Sequence, residues 1–129
     1  MKKTIISTPK APTAIGPYEQ GISIGPFIFT SGQIPINPET NELVGSEIED
    51  ETRQVLKNIS EVLQAGGSSL DNTVKITVYL KDMSNFGRMN KIYQSFFTNN
   101  KPVRTCVEVS ELPKGVGVEM DAIAFLQED

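Results

Sequence analysis

Near the C-terminus the segment Ala122-Ile123-Ala124-Phe125-Leu126 is apolar at every position. Successive side chains of a β-strand point to opposite faces of its sheet, so a strand with no polar alternation predicts cover on both sides. No other feature restricts the chain as much. It asks for a sheet with two covering layers in a polypeptide of only 129 residues, one domain's worth, read here as residues 1–129.

The covering elements follow from periodicity. Ser46 followed by Glu49 is a capping-box pattern, and Ile48, Thr52, Val55, Leu56, Ile59, Val62 and Leu63 recur at helical spacing until Gly66-Gly67. Asp82 or Ser84 can cap a second helix, which buries Phe86, Met89, Tyr93, Phe96 and Phe97 and turns Arg88 to solvent. Between them, residues 73–81 alternate, with Val74, Ile76, Val78 and Leu80 on one face. Shorter strands are predicted at 4–7, 19–24 and 27–31, the last two joined at Gly25-Pro26. Residues 32–45 read as a loop, and 102–110 and 116–126 as the last two strands. The order β-β-β-α-β-α-β-β predicts an α+β fold, a mixed β-sheet with two helices packed on one face. Two helices supply one cover. The other comes from a second copy of the chain, as a homo-oligomer, or from the N-terminal segment folding over that face.

Composition removes whole classes of chemistry. There is no histidine and no tryptophan, and Cys106 is the single cysteine. Ser-His-Asp and Cys-His nucleophilic sites are thereby excluded, as are zinc sites that depend on His or on several thiolates. The lone cysteine also forbids an intramolecular disulfide, which fits a reducing, cytoplasmic setting. The N-terminal apolar run is too short for a signal peptide, and no window approaches a transmembrane span. A net charge of −4 with scattered basic residues disfavours nucleic acid and anionic membrane as partners. No phosphate-binding or dinucleotide motif is present, so no cofactor is expected.

Few residues are left to carry chemistry. Arg53 and Arg88 lie on helix flanks, whereas Arg104 sits in an alternating strand on the same face as Cys106 and Glu108. A guanidinium there is either a bidentate receptor for a carboxylate or phosphate, or an ordinary ion pair with Glu108 or a neighbouring strand. Glu119, between Val118 and Met120, is either a carboxylate that orients a water or a structural partner of Arg104. Cys106 has no base beside it and reads as packing. Ser31-Gly32 offers backbone at which a ligand can approach closely, and Tyr18 closes a Pro/Gly-rich loop.

Several strings, in order along nearly the whole chain, resemble one family: Ala14-Ile15-Gly16-Pro17-Tyr18, Ser31-Gly32-Gln33-Ile34-Pro35, Thr52-Arg53-Gln54-Val55-Leu56-Lys57-Asn58, Val78-Tyr79-Leu80-Lys81-Asp82-Met83, Pro102-Val103-Arg104-Thr105-Cys106-Val107-Glu108-Val109 and Val118-Glu119-Met120-Asp121-Ala122-Ile123-Ala124. They resemble the RidA (YjgF-like) reactive intermediate deaminases. The resemblance implies a chorismate-mutase-like fold, a homotrimer with sites between subunits, and hydrolysis of 2-iminobutanoate and 2-iminopropanoate to 2-oxo acids and ammonia. It implies further that Arg104 clamps the substrate carboxylate and that Glu119, with backbone groups near Cys106, holds the attacking water. Tyr18, Ser31, Gly32, Phe86 and Asn90 would complete the pocket. The rival readings are a non-catalytic 2-oxo-acid-binding regulator, the endoribonuclease or translation-inhibitor activity attributed to some relatives, and chaperone-like binding.

Overall fold

The structure, a computed structural model, describes residues 1–127. Three short strands come first, β1 (Lys3–Ile6), β2 (Gly21–Ile24) and β3 (Phe27–Thr30), followed by a two-strand ladder, β4 (Ile36–Asn37) and β5 (Glu42–Leu43), inside the segment expected to be a loop. Helix α1 (Ile48–Ala65), strand β6 (Thr73–Leu80), helix α2 (Phe86–Phe96), strand β7 (Val103–Glu108) and strand β8 (Val118–Phe125) complete the chain. The sheet runs β1-β2-β3-β8-β6-β7. Only β6 and β7 pair in parallel, joined by the α2 crossover; every other neighbouring pair is antiparallel. This is the expected mixed α+β sheet.

Helix α1 forms because its apolar stripe has somewhere to go. Val55, Leu56, Ile59, Val62 and Leu63 are fully buried against Ile28, Ile76, Val78, Met120 and Ala124 of the sheet, each burial contributing roughly 1.5–3 kcal/mol. Glu49, Asp50 and Glu51 in its first turn complement the helix dipole. The predicted capping box does not form. Glu47 is the N-cap, without a side-chain cap bond, and Glu49 instead accepts from Arg88 of α2 at 2.7 and 3.0 Å. Arg88, expected to be idle on the solvent side, also bonds Glu47 at 2.5 Å and so ties the two helices together. At its far end α1 closes in a Schellman turn. Ser68 N–H donates to Leu63 O at 2.8 Å and Gly67 N–H to Gln64 O at 3.1 Å, with Gly67 at φ +90, a conformation that favours glycine.

Strand β6 departs from the alternation read in the sequence. Thr73 pairs with Ala124 and Lys75 with Ile123, so Val74 is the extra residue of a bulge. Val74 is consequently exposed while Thr73 is buried. From Ile76 onward the expected face is kept.

The last strand shows alternating burial in one chain rather than burial throughout. Val118, Met120, Ala122 and Ala124 face the helices, whereas Phe125 on the other face is 42% exposed. Both helices cover the same face, and the N-terminal segment does not cover the other: β1 extends the sheet edge beside β2. A row of partnered residues therefore crosses the uncovered face as Ile5, Ile22, Phe29, Ile123, Lys75 and Val103. Phe27 and Phe125 form a second apolar pair beside it.

Candidate active site in two halves

Arg104 lies in β7 opposite Ile76 of β6, which in turn faces Ala122 of β8. Because paired residues share a face, this register sends the guanidinium to the helix side, over the end of the core. The valines of β7 go the other way, and Val103 is 65% exposed on the uncovered face. Helix α2 provides the receptor. Phe86, Asn90 and Tyr93 stand at i, i+4 and i+7, one stripe of the helix. The Arg104 carbon Cζ lies 5.3 Å from the Phe86 ring centroid and 4.7 Å from that of Tyr93, within cation–π range. Nη1 donates to Asn90 Oδ1 at 2.7 Å.

This arrangement holds the fork without neutralising it. Among the described residues no carboxylate pairs with Arg104. Glu108, the obvious candidate from sequence, instead accepts from Met83 N–H at 2.7 Å and anchors the turn before α2. The guanidinium therefore keeps donors for an incoming anion. Cys106, on the same face, is partly buried against the core; burial raises its thiol pKa, with Arg104 pulling the other way. A protonated thiol agrees with its reading as packing.

Glu119 belongs to a different surface. It pairs with Tyr79 across β6–β8 and so lies on the uncovered face, opposite in side to Arg104. The alternative of an Arg104–Glu119 ion pair within one chain is thereby excluded. Burial, and secondarily the Asp121 carboxylate two residues along the same face, raise the pKa of Glu119. Asp121 accepts from the Tyr79 hydroxyl at 3.3 Å, and its own pKa is raised chiefly by burial.

Gly32 is held against Glu119 by the bridge between Gln33 and Met120, with Gln33 N–H donating at 2.7 Å. A Cβ on Gly32 would fall 2.0 Å from Glu119 Oε2 and 3.0 Å from its Cδ, so glycine is required for this approach. The Ser31 hydroxyl donates to the Glu19 carbonyl, fixing the strand end beside the Tyr18 loop. Tyr18, whose hydroxyl accepts from Ile15 N–H at 3.4 Å, shares a cavity of ≈ 80 Å³ with Gly32, Gln33, Asn41 and Lys114.

The residues singled out from sequence thus fall into two groups. Arg104, Phe86, Asn90 and Cys106 form one, on the helix side of the sheet edge. Glu119, Gly32, Ser31 and Tyr18 form the other, where β3 ends and β8 begins. Tyr93, core by its periodicity, also walls Arg104, and its position three residues after Asn90 is the sequence signal of that shared stripe. Asp121 was missed; its spacing of two from Glu119 was the available sign that the two carboxylates share a face.

The family model described as "Endoribonuclease L-PSP" matches residues 8–126 of the chain. The chain belongs to this family, that of RidA and YjgF. Among its RidA-family relatives, the RutC family protein PYRAB12510 of Pyrococcus abyssi is 52% identical over 125 residues, covering 97% of this chain and 98% of the relative. The 2-iminobutanoate/2-iminopropanoate deaminase of Escherichia coli (strain K12) is 46% identical over 127 residues, covering 96% and 98%. Among solved structures, that of E. coli TdcF with bound serine superposes with a TM-score of 0.92 at 41% identity, covering 96% of this chain and 99% of that one.

Proposed function

We propose that the protein hydrolyses 2-imino acids and their enamine tautomers, such as 2-iminobutanoate and 2-iminopropanoate, to 2-oxo acids and ammonia. The observation that carries this reading is the unneutralised Arg104 fork, stacked on two aromatic rings and braced by Asn90. Such a fork, prepaid in orientation, suits the planar carboxylate of a 2-imino acid. Relatives named as deaminases at 46% and 43% identity support the same chemistry.

The two halves meet when one copy presents its Arg104 side to the Glu119 side of the next. An interface between two different patches is head-to-tail, and a closed rotation makes it a ring; a homotrimer fits, and the uncovered apolar face supplies the surface it buries. In the assembled site Arg104 and Asn90 fix the substrate carboxylate. Glu119 accepts a proton from a water as its oxygen bonds to the imine carbon and the C=N electrons move to nitrogen. Glu119 returns that proton to the carbinolamine nitrogen, the C–N bond breaks, and the hydroxyl proton passes to the departing ammonia, leaving the carbonyl, ammonium and the ionised carboxylate. Water and iminium in, 2-oxo acid and ammonium out, balances without an oxidant. A protonated imine is already electrophilic, so positioning and modest general-base assistance suffice.

The test supplies the imine in situ from threonine dehydratase and follows semicarbazone trapping against ammonia release. Acceleration that is lost in Arg104→Ala supports the reading; no acceleration, or full activity in that variant, overturns it. A net charge of −4 and the absence of a basic stripe weigh against the ribonuclease that the family's description suggests.

A further inference from the structure

The cleft that contains Arg104 does not end at the guanidinium. It is open, ≈ 740 Å³ in volume, and continues along the C-terminal half of α2 past Tyr93, Gln94 and Thr98 to Lys101. Its charge is unlike that of the whole molecule. Two cations, Arg104 and Lys101, line it and no carboxylate does, in a chain with 16 acidic and 12 basic residues.

We propose that this extension is a second anion subsite, which makes 2-imino and 2-oxo dicarboxylic acids ligands of the same centre. The inference rests on the Arg104 carboxylate clamp described above. The 1-carboxylate takes the Arg104 fork, and the distal carboxylate is received by Lys101, with the Gln94 amide and the Thr98 hydroxyl as the remaining donors. Lys101 and Arg104 line the same cleft, and the flexible lysine stem lets its ammonium adjust to a small dicarboxylate.

The stable 2-oxo acids serve as probes, since they avoid imine decay. 2-Oxoglutarate and 2-oxopentanoate have the same chain length and differ in the distal carboxylate. Their dissociation constants for the assembled protein are measured by titration calorimetry at two salt concentrations. The expected result is about fivefold tighter binding of 2-oxoglutarate, the value of an exposed ion pair, with the ratio collapsing in Lys101→Met and falling with salt. Equal binding of the two acids, or a ratio untouched by Lys101→Met, overturns the subsite and leaves the clamp standing. If Arg104→Ala retains both ligands, the clamp itself fails and the subsite fails with it.

Discussion

Arg104 and Glu119 stand on opposite faces of one sheet, on strands separated by β6. No rotamer change brings them together within a chain, so the proposed reaction needs one from each of two copies. Co-refolding inactive Arg104→Ala with inactive Glu119→Gln therefore restores activity. For random mixing into three-membered rings, one site in three of every mixed ring is intact, giving about a quarter of wild-type turnover. No recovery in the refolded mixture, with mixed rings verified by native mass spectrometry, would place both residues in one subunit's site.

Substituting Arg104→Lys keeps the charge and removes the planar fork that lies over Phe86 and Tyr93. We expect kcat/KM for the imine to fall about 10- to 100-fold, chiefly through KM, because a point charge cannot make two parallel bonds to one carboxylate. Steady-state kinetics on in situ imine measure it.

Gly32→Ala introduces a Cβ where Glu119 Oε2 now sits. The carboxylate is displaced while Arg104 is untouched, so kcat drops about 100-fold with little change in KM. Thermal unfolding of the variant checks that the loss is local.

The raised pKa of Glu119 has two consequences of definite sign. If the ionised carboxylate is the base, the acid limb of wild-type kcat/KM falls at a pH above the usual 4.5 of a glutamate. A folded-state pKa above the unfolded one means that protonation stabilises the fold, and that this stabilisation disappears as pH rises through the folded value. Glu119→Gln is accordingly more stable than wild type at neutral pH, and the gap closes on acidification through the glutamate's pKa, as denaturant melts across pH show.

Ile59 is fully buried in the α1–sheet core. Ile59→Ala costs about 2–5 kcal/mol of stability, read from chemical denaturation.

Where one periodicity decides the outcome, the residues show it: the α1 stripe from Ile48 to Leu63 and the buried Met89 and Tyr93 of α2 each follow from 3.6 residues per turn alone. Where a partner decides, they do not. The Val74 bulge comes from how β6 meets β8, and the idle capping box reflects Arg88 competing for Glu49 from another helix. Strand parity told that Arg104 and Cys106 share a face, but not which face the helices cover. In this edge strand Val103 and Val107 point away from the core. That ambiguity left an Arg104–Glu119 pair open, and only the register closed it.

In the proposed assembly, the division of the chain into a clamp half and a carboxylate half also governs counting. An open row of n copies joined head to tail completes n − 1 sites and leaves one unused clamp and one unused carboxylate at its ends. A closed ring completes n. Every chain then contributes to two sites and owns neither, so a defect in one half disables one neighbour's chemistry and spares the other's.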